Sequence, residues 1–199
     1  ADNILEVYPD FIKKVMTEGK EGIDVKKIYN VGAYRLNAYI RLLTNKYKYL
    51  NMLTKLKDYQ VDIIDCKSLY DTYHNDNDIL EAFDKTPYRV LINCLHKGFN
   101  RADSLLMKVR PELEASEQRC EFIVLDILDR NENDGSSKLA AKTLFDVAKT
   151  DYNVPQLLPL LKNVSQESDL IYYNEDTNEL SKMNTYNGEC LIADFVKEK

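Results

Sequence analysis

The sequence predicts a mainly α protein: an antiparallel helical array followed by a C-terminal helix-plus-β-hairpin module of winged-helix-like order. Three observations carry this expectation. Apolar residues recur at steps of three and four along most of the 199 residues, which is the period of a helix with one buried face. Only 6 Gly and 5 Pro interrupt the chain, so collagen-like and linker-like readings fail. Near the C-terminus, Leu170-Ile171-Tyr172-Tyr173 and Glu179 to Met183 flank a polar turn, Asn174 to Asn178, in the manner of a hairpin.

The helices are read in order. Ile4, Leu5, Tyr8, Phe11, Ile12 and Val15 share helical spacing, Pro9 starts a new turn or kinks the old one, and Gly19 and Gly22 stop it. From Ala33 to about Tyr59, Leu36, Ile40, Leu43, Tyr47, Leu50 and Leu53 mark the longest helix. Asp62 caps a run with Ile63, Ile64, Leu69 and Tyr70, and His74-Asn75-Asp76-Asn77-Asp78 breaks it. Ile79 to Phe83 follows. Thr86-Pro87 then opens Tyr88 to His96, with proline at the first helical position, and Gly98 ends it. Asn100 with Asp103 begins another helix through Leu105, Leu106 and Val109, and Pro111 the next.

The chain is divided into residues 1–110, a helical region whose first third is basic, and residues 111–199, an acidic C-terminal module. In the second part a helix through Leu113, Cys120, Ile123, Val124 and Ile127 leads to a polar loop, Arg130 to Ser136. A helix from Ser137 to Lys149 and a third through Val154, Leu157, Leu158, Leu161 and Val164 precede the hairpin. Two features argue against a regular winged helix: Pro159 lies inside the third helix, and no strand is evident between the helices and the hairpin. The run from Cys190 to Val196 fits helix or strand.

Composition bounds the function. The chain is 44% hydrophobic and 30% charged with a net charge of −6, as expected of a soluble globular protein and not of a disordered one. No apolar stretch approaches the roughly 20 residues of a membrane-spanning helix. The opening ADNILEVYPDF lacks the basic and apolar blocks of an unprocessed secretory signal. Cys66, Cys94, Cys120 and Cys190 are too scattered for a disulfide framework, so an intracellular location, cytoplasmic or nuclear, is expected; the lone sequon at Asn163 does not change that.

Residues 1 to 60 hold 11 Lys+Arg against 7 Asp+Glu, and the remainder 16 against 26. Any phosphate backbone must therefore meet the first third, since such binding draws on Lys and Arg. There the long helix carries Tyr34, Arg35, Tyr39, Arg41, Lys46, Lys48, Tyr49 and Lys55, with Lys57 just beyond, a basic and tyrosine-rich candidate interaction surface.

Catalytic chemistry finds little footing. The glycines form neither GxGxxG nor GxxxxGK, the cradles that admit phosphates. Cys94-Leu95-His96 with Cys66 and His74 lacks zinc-site spacing. Asp129 to Gly135 resembles the start of a calcium loop, but its glycine is displaced and its twelfth position is Ala140. Asp76 with Asp78, or Asp126 with Asp129, identify no reaction alone. No catalytic residue, metal or cofactor is assigned. The reading is a non-enzymatic interaction, assembly or regulatory subunit with protein partners and no membrane. A nucleic-acid-binding regulator using residues 33–58 is the alternative, and an enzyme with carboxylates assembled from distant segments the third.

Overall fold

In the computed structural model, which describes residues 2–152, 154, 159, 163–164 and 168–197, Pro9 makes the first break. Helix α1 (Asp2–Val7) ends before it and α2 (Phe11–Glu18) begins after it, as a residue without a backbone donor requires. Gly19 then takes φ 65°, and 3-10 turns at Gly19–Gly22 and Val25–Lys27 carry the chain into α3 (Ala33–Lys55). Ile4, Phe11, Val15, Ile23, Ile28, Leu36 and Ile40 form one buried cluster. Tyr8 ties the turn to it by accepting from the Asp24 amide at 3.0 Å.

Helix α4 (Ile63–Tyr73) has the cap read from the sequence, in reciprocal form. Asp62 Oδ1 accepts from the Asp65 amide at 2.8 Å, and Asp65 Oδ2 from the Asp62 amide at 3.0 Å. The expected polar break is only two residues long: His74 turns the chain at φ 69° and α5 (Asp76–Lys85) starts at once. The side chain of Asn75 makes this possible by accepting from the Asp78 amide at 3.0 Å. Ile63 and Ile64, read as apolar positions of this helix, face solvent; Cys66, Leu69 and Tyr70 are its buried residues.

The chain divides into two compact units, Ala1–Ile79 and Leu80–Lys199, so the boundary falls within α5. The helices after Thr86, grouped by sequence with the N-terminal region, thus belong to the second unit. There α6 (Pro87–Arg89) widens into a π-helical turn, Val90–Cys94, before α7 (Phe99–Val109). Tyr88 is fully buried and stacks on Phe99 and Phe122, with ring centroids at 6.3 and 5.7 Å. Its hydroxyl donates to Asp103, which also accepts Arg119 Nε at 2.8 Å and Nη2 at 3.0 Å. A buried tyrosine therefore brings its own polar network.

Helix α8 (Glu117–Asn133), capped by Ser116, starts and ends later than the sequence reading, and Leu113, read as part of it, lies in a separate 3-10 turn, Pro111–Ala115. The expected loop from Arg130 is helical to Asn133, because Arg130 pairs with Asp126 one turn back at 2.8 Å. A strand that the sequence reading did not find, β1 (Leu139–Ala140), precedes α9 (Ala141–Asp151), so the helix expected from Ser137 starts four residues later. Strands β2 (Ile171–Asn174) and β3 (Glu179–Lys182) form the expected hairpin. Asn174 Oδ1 accepts from the amides of Asp176 and Thr177 in its turn, and Asn178 takes φ 56°. The sheet is antiparallel in the order β1-β3-β2, with Leu139 opposite Leu180 and Tyr172 opposite Ser181. Two residues could pair here because Leu139 sits beside a buried partner, Leu180.

The third helix expected between α9 and β2 falls largely outside the described residues; Val154 and Val164 are buried. Residues 190–196 are helical, as part of α10 (Met183–Lys197). Among the described residues helices dominate and the only sheet is this small one near the C-terminus, a mainly α architecture. None of the described helices is long and apolar enough to cross a membrane.

Candidate interaction surface

Helix α3 buries two different faces. Leu36 and Ile40 are buried beside α1 and α2, while Met52 and Leu56 are buried near the end that meets α4. Each residue of the first pair lies sixteen positions before its counterpart, which places the two faces about 160° apart around the helix. The apolar stripe that starts with Leu36 and Ile40 therefore runs on uncovered. Tyr47 is 49% and Leu50 54% exposed, although both continue it.

The uncovered stretch opens beside α1 and α2. A groove of about 310 Å³ is lined by Ile4, Leu5, Phe11 and Ile12 on one side and by Tyr39, Leu42, Leu43 and Lys46 on the other. Leu5, Ile12 and Leu42 are about half exposed. A neighbouring hollow adds Asp10, Lys13, Met16 and Tyr47.

The nine residues singled out by sequence do not share a face. Arg35, Tyr39 and Lys46 line up on the groove side of α3. Arg41, Lys48 and Lys55, seven residues apart in turn, form a second line about 140 to 180° from Lys46. Two of that second line are engaged within the fold: Lys48 Nζ lies 3.4 Å from the Tyr70 ring centroid, and Lys55 Nζ bonds Asp76 at 2.9 Å. Tyr49 packs against Tyr70 at 5.7 Å. Tyr34 is 87% exposed near the start of the helix, and Lys57 is exposed in the 3-10 turn Lys57–Tyr59. Arg35, Arg41 and Lys46 face solvent, with no carboxylate partner among the described residues.

Asp76, one of the carboxylates weighed for chemistry, is a structural acceptor. It takes the Tyr70 hydroxyl at 2.5 Å as well as Lys55. The Tyr70 hydroxyl holds its carboxyl below the ordinary value, helped by Lys55 and Lys48 and opposed by burial. Burial, and then the Asp76 carboxylate, push the Tyr70 phenol well above its own.

Asp126 and Asp129 do line one cleft, of about 550 Å³, with His96 and Lys182. Both are already occupied. Arg130 and the Tyr152 hydroxyl bind Asp126, while Lys182 bridges Asp129 at 2.5 Å and Glu132 at 2.6 Å. Of the calcium-like segment, residues 129–133 are the last turn of α8, and Asp134 and Gly135 form the turn that follows it. Cys66 is buried, its thiol pushed up to about 11 by burial and then by Asp65 and Asp62, which is the wrong direction for a metal ligand. Among the described residues no three His, Cys, Asp or Glu side chains are placed to hold a metal ion.

Sequence reasoning missed Leu5, Ile12 and Leu42 as surface residues. Two signals pointed to them: α1, α2 and α3 carry more apolar positions than one buried face needs, and α3 holds five cations and no Asp or Glu. Comparison with protein-family models, curated proteins and solved structures finds no match to this chain.

Proposed function

We propose that this chain is a non-enzymatic protein-binding module, an assembly or regulatory subunit of an intracellular complex. The observation that carries the reading is the open apolar groove of residues 1–79, where Leu5, Ile12 and Leu42 stand 48 to 57% exposed in one region. Contiguous exposed apolar surface on a folded chain marks a contact site.

The C-terminal module supports the same reading by analogy of fold. Helix, strand, helix and hairpin in the order α8, β1, α9, β2, β3, with β3 at the centre of the sheet, fit a winged-helix-like domain. Its wing carries Glu175, Asp176 and Glu179, and the adjacent Lys182 is spent on Asp129 and Glu132. Such a wing repels a phosphate backbone and suits a protein surface.

Nucleic-acid binding through α3 is the weaker reading, because its cations point to two sides. The two separate in one experiment: the tagged chain is purified from its source cells with nuclease treatment. A stoichiometric protein partner is expected. Recovery as a lone monomer, or a partner lost with the nucleic acid, overturns the assembly reading.

A further inference from the structure

We infer that the groove beside α3 receives an acidic amphipathic helix of a partner protein. The inference rests on the protein-binding reading above and adds the site and the chemistry of its occupant. Tyr39, Leu42, Leu43, Lys46, Tyr47 and Leu50 stand at i, i+3, i+4, i+7, i+8 and i+11, the register of an amphipathic helix face. Helices bury such faces against something. Here the fold leaves it largely open, and Tyr39, Leu42, Tyr47 and Leu50 remain 44 to 57% exposed. The open face is about 17 Å long, which matches roughly three turns of a partner helix.

Charge selects the occupant. Lys46 lies within the stripe, Arg35 lies on the same line of α3, and the hollow beside it is lined by Lys13 and a single acid, Asp10, so cations outnumber acids around the groove. A basic helix seated there would meet like charges at the rim, whereas Glu and Asp flanking an apolar stripe would find Lys46, Lys13 and Arg35. An extended nucleic acid would leave the aliphatic floor of Leu5, Ile12 and Leu42 without a partner, since bases stack on aromatic rings.

The test is selection of a displayed library of random 16-residue peptides on the full chain, followed by fluorescence anisotropy with the enriched peptides. Enrichment of net-acidic peptides with apolar residues at helical spacing is expected. Their affinity should fall at least about tenfold for Leu42→Glu, fall several-fold for Lys46→Glu, and change less than about twofold for Arg41→Glu, which lies on the other line of cations. Leu42 is 57% exposed, so the variant folds, and circular dichroism verifies it. Enrichment of basic or extended peptides, no enrichment, equal binding to Leu42→Glu, or displacement of the peptide by a 25-nucleotide single-stranded DNA overturns the inference. A stoichiometric cellular partner that Leu42→Glu still retains removes the groove as its site and leaves the assembly reading standing.

Discussion

Cys66 and Cys120 are both fully buried, and burial pushes each thiol up to about 11. Thiolate is the reactive form, so both should resist labelling at pH 8 until the chain unfolds, whereas the exposed Cys190 reacts at once. Counting thiols released by a disulfide reagent before and after urea checks this; fast labelling of Cys66 in the native chain would contradict its placement. Asp76 makes the opposite kind of statement. Its carboxyl is held low in the fold, so the stabilisation it provides is complete above the ordinary carboxylate value of about 4 and disappears as pH falls through its lowered folded value. Asp76→Asn should therefore lower stability at pH 7, by no more than about 1 kcal/mol for a partly exposed group, and by progressively less as the pH is taken below about 4. Urea titrations across that range read the difference directly.

At the scale of the element, α3 shows where periodicity stops being informative. Its apolar spacing and its length were legible, because steps of three and four residues describe a helix whatever covers it. Which side is covered, and how far along, depends on neighbours that no local pattern contains. Met52 is fully buried and Leu50 is 54% exposed, although the stripe read from the sequence includes Leu50 and omits Met52. Met52→Ala should cost about 3 kcal/mol, and Leu50→Ala less than about 0.5 kcal/mol. Reversed magnitudes in thermal or urea unfolding would place the burial switch elsewhere. The same limit explains the rest. The Asp62 cap and the Asn174 turn were readable because their chemistry is local, while β1 was not, because two residues become a strand only through pairing with β3. The basic residues were read together as one candidate surface, since composition counts cations without saying which of them Tyr70 and Asp76 already hold.

Across the whole molecule, each unit leaves an apolar surface uncovered. In the second unit it is the far half of α10. The root of that helix is anchored: Tyr186 stacks on Tyr172 at 3.6 Å, and Thr185 donates to Glu132 at 2.6 Å. Beyond Cys190, Leu191, Ile192 and Val196 are each 67 to 73% exposed, the last two one turn apart. A net charge of −6 opposes association of copies, and the apolar stripes favour it. Salt decides between the two forces, because it screens the repulsion and leaves the apolar attraction in place. Without a partner, the chain should therefore associate with rising concentration, and more strongly at about 0.5 M than at about 0.05 M NaCl. Replacing Leu191 and Ile192 together by Ser should weaken that association. The melting temperature should stay within about 2 °C, since two exposed side chains bury little to lose. Sedimentation velocity over a concentration series measures the first effect and calorimetry the second. Unchanged sedimentation, or a melting temperature lower by more than about 5 °C, would mean that the fold already covers the stripe.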